Sequence, residues 1–541
     1  MATRVASGPV AQLEERIHGM DEVVGSSPIR STYGKRAAHI MGGSLRLVTF
    51  DATAIASSSM HTQTGRFVAG TFTPAIGAGL FNVANPAISG TIARVADCGP
   101  ADAHAAVDAA AAAFPAWRAL PALERARPLR RLAELMARDA ERLADLCSQE
   151  CGKPLAEART EVAYAASFLE WFAEEGRRVY GETIPASDPA KRLMVLKRPC
   201  GVAAAITPWN FPLAMVTRKL GPALAAGCTQ VVKPAEQTPL SALAIAELSV
   251  EAGLPAGVLN VVPGSDAAAI AAVFFERPEV RHVSFTGSTE VGKLLIRQSA
   301  DRVVRVSLEL GGHAPFIVFD DADVDAAVAG AIASKFRNAG QTCVCANRFL
   351  VQRGIHDAFV ERLAAAVSAL KVGDGRAPGT QVGPLIDDAG LAKAEAHVAD
   401  AVARGARAAV GGRRARVDGC ADRFMEPTLL VGVTPDMRCF REETFGPVAP
   451  VCAFDGEDDA VRLANDTPYG LAAYVWTRDG ARIMRMSEAL EYGIVGVNDA
   501  LPAVAQAPFG GVKQSGLGRE GGRQGIEEYL DLRYVSWRIG K

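Results

Sequence analysis

This sequence predicts an α/β protein built on a doubly wound parallel sheet, and three observations predict it. Strand-like and helix-like stretches alternate from Gly201 to Leu310. A second α/β run extends from Ala314 to about Asn498. At 541 residues the chain is too long for one hydrophobic core, so two or three domains are expected. Such alternation gives parallel strands covered by helices, with ligands at the carboxyl ends of the strands.

The elements follow in order. Residues 101–150 carry Ala, Leu, Arg and Glu at helical spacing, as in RARPLRRLAELMARDAERLADL. GVAAAI (201–206) reads as a buried strand, and TRKLGPALAAG as a helix closed by Gly227. TQVVK (229–233) is a strand. TPLSALAIAELSVEAG is a helix with Thr238 as N-cap, Pro239 in the first turn and Gly253 as stop. VLNVV (258–262) and VRHVSF (280–285) are strands, STEVGKLLIRQSA (288–300) is a helix and RVSLEL (305–310) a strand. The two α/β runs meet near Gly311–Gly312. No internal repeat or low-complexity linker interrupts them.

The first sixty residues differ. They lack sustained periodicity and an apolar signal core, and Glu14, Glu15, Asp21 and Glu22 argue against a transit peptide. VAQLEERIHGMDEVVGSSPIRST looks like the product of a transfer-RNA gene translated in frame. Residues 1–60 are therefore expected to be a non-native or disordered extension, with Met41 or Met60 as the true start. The intact mass of protein made from the native gene decides between these starts and Met1.

Composition excludes several classes. The hydrophobic fraction is 49%, the charged fraction 22% and the formal net charge −2. That leaves no basic footprint for nucleic acid. No apolar run approaches the ~20 residues of a membrane span. Ten scattered cysteines without a secretory signal suit reduced thiols in the cytoplasm. The eight histidines are dispersed, so no metal site is expected.

A G-x-G-x-x-G search finds GLGREG (516–521), but no strand precedes it and too little chain follows for a βαβ unit, so it reads as a structural loop. FTGSTEVG (285–292) is the better phosphate site, because it follows a strand and opens a helix. In VVKPAE, Lys233 and Glu236 leave the carboxyl end of a strand. A carboxylate there can accept both ribose hydroxyls of an adenosine and repel a 2′-phosphate.

These motifs occur in a fixed series: TPWNFP (207–212), FTGSTEVG (285–292), LELGG (308–312), GQTCVCANR (340–348) and EETFGPV (442–448). The series resembles the aldehyde dehydrogenase superfamily over about residues 66–541, and the segment from Ala314 to Val360 looks most like succinate-semialdehyde dehydrogenases. The resemblance implies an aldehyde dehydrogenase-like fold. Residues 61–179 and 200–311 would form the NAD-binding domain, 312–511 the catalytic domain, and 180–199 with 512–541 an oligomerisation element of a homodimer or homotetramer. It further implies oxidation of a small aldehyde, succinate semialdehyde first, as in degradation of γ-aminobutyrate (GABA).

Residue by residue, Cys343 matches the nucleophile that forms a thiohemiacetal and then a thioester. Glu309 matches the general base, and Asn210 the oxyanion donor, worth ~3 kcal/mol of barrier. Lys219 matches a lysine near the glutamate that serves in proton transfer. Lys233 and Glu236 match the adenosine-ribose contacts. Gly287, Ser288 and Gly292 match the pyrophosphate and nicotinamide side, with Pro208 and Trp209 also on the cofactor path. Glu443 and Phe445 match the nicotinamide-ribose holder and its packing neighbour. A carboxylate at 236 resembles NAD-preferring members, with NADP the less favoured alternative.

Arg218 and Arg337 match the two arginines that hold the substrate carboxylate, for which the guanidinium fork is suited. The family's usual serine is missing: Ala503, between Pro502 and Val504, stands at that place. The alternatives are a different chain length, such as glutarate semialdehyde, or a broader-specificity aldehyde dehydrogenase, the latter leaving the two arginines unexplained. Cys345 matches the partner of a reversible disulfide with Cys343 found in some relatives. Transfer to coenzyme A is disfavoured by Glu309. A cysteine hydrolase would need His313 or His356 beside the thiol. A structural protein on the same fold is opposed by intact Cys343, Glu309 and Asn210.

Overall fold

The structure, a computed structural model, describes residues 63–539. Residues 1–60, and with them both proposed starts, lie outside the described residues.

Five parallel strands form the middle of a first sheet. Leu259–Val261, Thr229–Lys233, Val202–Ile206, Val280–Thr286 and Arg305–Glu309 lie side by side in that order. Antiparallel strands finish both margins: Arg66–Val68 and Thr71–Thr73 at one, Gly516–Leu517 at the other. The chain starts at Val202–Ile206, winds outward to Leu259–Val261, then returns to continue from Val280–Thr286 on the other side. The winding direction reverses between Val202–Ile206 and Val280–Thr286, and the carboxyl ends of two strands at such a switch open a crevice.

Residues along the central strand divide between two covers. Val202, Ala204 and Ile206 join one buried cluster, while Ala203 and Ala205 join another. This is the period of two expected of a sheet packed on both faces. Helices Ala214–Ala226 and Pro239–Glu251 supply residues to the second cluster, and Pro100–Ala119 and Ala267–Glu276 to the first. Each Leu, Val or Phe fully removed from water there contributes ~1.5–3 kcal/mol.

One capping expectation is corrected. Thr238 does stand at the N-cap of Pro239–Glu251, but its side chain makes no capping bond. Its hydroxyl donates to the Trp209 carbonyl at 3.4 Å instead. The orphan N–H groups of Leu240 and Ser241 donate to the buried Glu150 carboxylate at 2.8 and 2.9 Å. Burial raises Glu150 to about 8 against these hydrogen bonds, so its two oxygens act here chiefly as acceptors that satisfy two orphan N–H groups at once, which a single hydroxyl cannot do. At the other end of the preceding helix, Gly227 takes φ +100° and closes it as read.

The second sheet has seven strands. Their order is Arg407–Val410, Thr428–Val431, Val448–Phe454, Ala346–Gln352, Ala314–Val318, Ala472–Trp476 and Ile494–Val497. Only the first pair is antiparallel. A small antiparallel sheet joins Glu182–Ile184, Lys191–Pro199 and Leu530–Arg538, the last with one edge open. GLGREG is not wholly loop: Gly516–Leu517 pairs with Leu308–Glu309 and extends the first sheet. Among the described residues no helix is long and apolar enough to cross a membrane.

Candidate active site

Strand ends of the first sheet supply one wall. Thr207 to Asn210 follow Val202–Ile206, Gly287 and Ser288 follow Val280–Thr286, and Glu309 ends its own strand. The register sets Thr286 opposite Glu309, and Ile206 opposite Lys233. Gly287 donates its N–H to the Glu309 carbonyl at 3.0 Å. A Cβ on Gly287 would lie 2.3 Å from the Phe285 ring, and one on Gly292 2.5 Å from Leu310. Glycine at these positions thus brings helix Thr289–Ala300 hard against the strands. Ser288 caps that helix, its hydroxyl accepting from Val291 N at 3.3 Å.

The second wall is the segment ending in Cys343. Asn338, Ala339 and Gly340 take φ of 49°, 54° and 75°, a left-handed run that only glycine adopts without cost. The surroundings impose it. Asn338 N donates to the Glu157 carboxylate at 2.7 Å, and Gln341 Oε1 accepts from Ile386 N at 2.9 Å. The Gly446 carbonyl lies 2.2 Å from where a Cβ on Gly340 would sit. Gly312 is likewise pressed on the Cys343 carbonyl, 2.4 Å from its missing Cβ.

Asn210 joins the two walls. Its carbonyl accepts from Lys153 Nζ at 2.7 Å and from Asn338 Nδ2 at 3.0 Å, and its Nδ2 donates to the Gln341 carbonyl at 3.1 Å. Its Oδ1 is buried without a partner. Lys153 forms a fully buried ion pair with Glu161. The other Glu161 oxygen accepts from Leu213 N at 2.9 Å and Ala214 N at 3.3 Å, capping helix Ala214–Ala226. That helix carries Arg218 and Lys219.

The electrostatics follow from burial. Desolvation pushes the Cys343 thiol up to about 12; the Glu309 and Glu443 charges add to it, and Arg218 and Arg337 oppose it. Glu309 is driven well above the usual carboxylate range by burial and then by the neighbouring Glu520. Its Oε2 is buried and unpartnered. Glu443 is raised to about 7 by burial, although Gly312 N donates to it at 3.0 Å. Lys219 is lowered by burial against the pull of Glu520. Its ammonium bonds Ser284 at 3.0 Å, Thr286 at 2.8 Å and the Glu520 carboxylate. Burial works against the Glu520 charge as well, but Lys219 and Arg218 outweigh it and hold that carboxyl below its ordinary value.

A cavity of about 520 Å³ opens on Cys343 and is lined by both Arg218 and Arg337 together with Tyr164, Phe211, Phe509 and Ala503. The Arg218 guanidinium stacks 4.0 Å from the centre of the Phe509 ring, and that of Arg337 lies 5.2 Å from Phe211. Each guanidinium keeps a buried Nε without a partner. Arg218 is not free, however, since Glu520 lies 2.6 Å away.

At the crevice mouth Lys233 is buried and Glu236 is 41% exposed, their charges 3.1 Å apart. The Trp209 and Phe445 rings meet edge to face at 5.6 Å, with Phe445 at φ 55°. Cys345 is held apart from the cavity, its sulfur 3.3 Å from the buried Lys335 ammonium and 3.7 Å from Asn347 Oδ1. Among the described residues, neither His313 nor His356 hydrogen-bonds the thiol. His313 is buried against the Phe440 carbonyl at 2.8 Å, and His356 bonds Asp357 at 2.8 Å. A cysteine hydrolase with a histidine base therefore has no support.

Sequence reasoning missed Glu520, Lys153, Glu161 and Glu157. Glu520 lies inside the decoy GLGREG and becomes visible only once Gly516–Leu517 pairs beside Glu309. The other three lie in or just before helix Leu155–Glu175, whose spacing reads as ordinary amphipathic helix; burial of so many charges on one stretch has no signature in periodicity.

The switch-point crevice, the capped helix N-terminus behind Ser288 and the exposed Glu236 carboxylate fit a dinucleotide. Comparison with known proteins agrees. The model of the Aldehyde dehydrogenase family matches residues 72–535. The chain is 56% identical to the succinate-semialdehyde dehydrogenase [NADP(+)] of Escherichia coli strain K12, over 84% of this chain and 93% of that one. It is 55% identical to the glutarate-semialdehyde dehydrogenase of Pseudomonas putida, again over 84% and 93%. Among solved structures, the succinate-semialdehyde dehydrogenase of Burkholderia pseudomallei superposes with a TM-score of 0.87 at 54% identity, covering 88% of this chain and 98% of that one.

Proposed function

The chain belongs to the aldehyde dehydrogenase family, and from that premise we propose that it oxidises a carboxylate-bearing semialdehyde to the diacid with NAD(P), succinate semialdehyde being the leading substrate. The observation that carries this is the cavity shared by Cys343, Arg218 and Arg337. An anionic tail between two guanidiniums leaves the aldehyde carbon for the thiol. Arg337 is the stronger anchor, because Glu520 already engages Arg218. Ala503 on the cavity wall supplies no hydroxyl, which favours glutarate semialdehyde as the second reading.

Cys343 acts as nucleophile. Its raised pKa keeps it a thiol at rest, so activation comes with loss of the proton when the site is filled. Addition to the carbonyl places charge on oxygen, which the second N–H of Asn210 and the Cys343 backbone N–H receive, worth ~3 kcal/mol. Lys153 and Asn338 hold Asn210 from behind. When bound in the crevice by Lys233, Glu236, Pro208, Trp209, Gly287, Ser288, Gly292, Glu443 and Phe445, the nicotinamide cofactor supplies the hydride acceptor. Glu309 then activates the water that cleaves the Cys343 thioester; its raised pKa makes the ionised form a stronger base than a surface carboxylate. Lys219, lowered in pKa and within electrostatic reach of Glu309, is placed to pass the proton onward.

NAD is the preferred form on this reading, since the Glu236 carboxylate sits at the crevice mouth where a 2′-phosphate would lie. The E. coli relative is named for NADP(+), so the cofactor ratio needs measuring. The open edge of Leu530–Arg538, where Leu532, Tyr534 and Trp537 are 69, 60 and 58% exposed, suits pairing with a second copy. All ten cysteines are free, which suits the cytoplasm.

The test is a steady-state panel of succinate semialdehyde, glutarate semialdehyde and hexanal, with NAD and NADP, for wild type and Arg337→Ala. A semialdehyde should lead, and the variant should lose it by about a hundredfold in kcat/KM while hexanal changes little. Equal use of hexanal with no effect of the variant would sink the carboxylate pocket.

A further inference from the structure

A second pair of thiols stands at the opposite edge of the first sheet from the crevice. Cys200 precedes strand Val202–Ile206 and Cys228 precedes Thr229–Lys233, at the amino ends of two strands that pair through Val202 and Thr229. Their sulfurs are 3.7 Å apart. The Tyr529 carbonyl ties both segments together, accepting Cys200 N at 3.0 Å and the Cys228 thiol at 3.4 Å. Gly201 at φ +147° and Gly227 at φ +100° flank the pair, so backbone turns that glycine alone takes easily bring the two cysteines into register.

One of the two thiols can be reached from outside. Cys228 is fully buried, while Cys200 is partly exposed and lines a cleft of about 820 Å³. Arg118, Arg198, Arg305 and Arg533 share that cleft against Glu527 and Asp531. The hydrogen bond to Cys228 and burial push the Cys200 thiol well above its ordinary value, while Cys228, although burial opposes its charge, is held below its own by hydrogen bonds from Cys200 and the Gly201 backbone, so Cys228 is the member of the pair that ionises first.

We propose that Cys200 and Cys228 form a modification site, a thiol pair that a hydroperoxide converts to a reversible disulfide away from the catalytic Cys343. A thiolate of the pair attacks the peroxide oxygen; the O–O bond breaks, alcohol or water leaves, and the sulfur becomes a sulfenic acid. The second thiolate attacks that sulfur, the S–O bond breaks, and hydroxide leaves as water with the thiol proton. Two electrons pass from the two sulfurs to one hydroperoxide. Small-molecule thiols reverse the bond by exchange. The sulfurs must close to ~2 Å, a movement on the scale of side-chain rotation. The cross-link joins residues 28 apart in sequence and restricts the unfolded chain, so the oxidised protein gains thermal stability.

The test treats the full-length enzyme with hydrogen peroxide, blocks free thiols with N-ethylmaleimide and maps peptides by mass, and does not rest on catalysis. The expected result is a cross-linked peptide pair containing Cys200 and Cys228, two hydrogens lighter than the sum and released by dithiothreitol. The melting temperature should rise by several degrees with it, and both effects should vanish in Cys200→Ser and in Cys228→Ser. If Cys228→Ser fails to fold, the partly exposed Cys200→Ser and the wild-type peptide map still decide. Alkylated Cys200 and Cys228 after oxidation of Cys343, a Cys343–Cys345 cross-link in their place, or Cys200 driven to sulfinic acid without a link would each overturn the proposal.

Discussion

The cofactor crevice and the substrate cavity meet at Cys343 yet are built in different ways. The crevice is made of strand ends: Asn210, Lys233, Gly287 and Glu309 each lie at or just past the carboxyl end of a parallel strand. Its geometry is a property of the sheet. The cavity draws on helix Leu155–Glu175, helix Ala214–Ala226, the left-handed turn at 338–340 and the segment around Ala503. Its geometry depends on contacts between segments hundreds of residues apart, and on buried charges that hold one another. A strand-end site tolerates change in side chains that do no chemistry, whereas a site held by buried ion pairs fails when one partner is lost.

The largest effect that would sharpen this contrast belongs to Glu309. Glu309→Gln removes the proposed base without disturbing the strand, so kcat should fall ~10²–10⁴-fold while the fold and cofactor binding persist. Wild-type rate should rise with pH as Glu309 ionises, along a limb displaced well above the ordinary carboxylate range, because its raised pKa keeps it protonated at lower pH. A pH-rate profile flat from pH 5 upward would contradict that role.

Next comes Lys153→Met. Removing one member of the buried Lys153–Glu161 pair should cost ~3–5 kcal/mol by chemical denaturation, because Glu161 is left charged and buried. A loss below 1 kcal/mol would show that the cavity wall does not depend on this pair. Restoring charge neutrality with Lys153→Met/Glu161→Gln should recover part of the stability.

A smaller effect is expected at the crevice mouth. Glu236→Ser should shift the NADP-to-NAD ratio of kcat/KM toward NADP by about two- to fivefold, the ~0.5–1 kcal/mol of one screened charge contact. An unchanged ratio would place cofactor choice elsewhere. The smallest effect is at Thr238→Ala. Loss of an N-cap ordinarily costs ~1 kcal/mol, but here Glu150 accepts the helix N–H groups, so denaturation should register no more than about half of that.

Much of the architecture was legible. Alternation from Gly201 to Leu310 located five parallel strands and three of the four helices between them, because strand and helix periods differ and Gly227 and Gly253 punctuate them; helix Ala267–Glu276, an almost wholly apolar run without a polar face, was not read. Lys233, Glu236, Gly287 and Gly292 were legible for the same reason, since their motifs stand at the ends of readable strands, whereas Asn210 and Glu309 were marked only by the family resemblance. Glu520 was not, since it sits in a glycine-rich segment whose neighbours in space come from Ala214–Ala226 and Arg305–Glu309. Nor could spacing reveal that Arg218 is engaged by a carboxylate more than three hundred residues away.

The sequence by itself determined the class of fold, because local periodicity and turn residues are written along the chain, and its ordered motifs carried the family resemblance that marks Cys343, Glu309 and Asn210. Only the tertiary structure decided how those groups are charged and held. It put Glu309 beside Glu520, set Lys153 behind Asn210, took Cys345 away from the cavity and brought Cys200 to Cys228. Desolvation and ion pairing depend on distances across the fold, and no reading along the chain contains those distances.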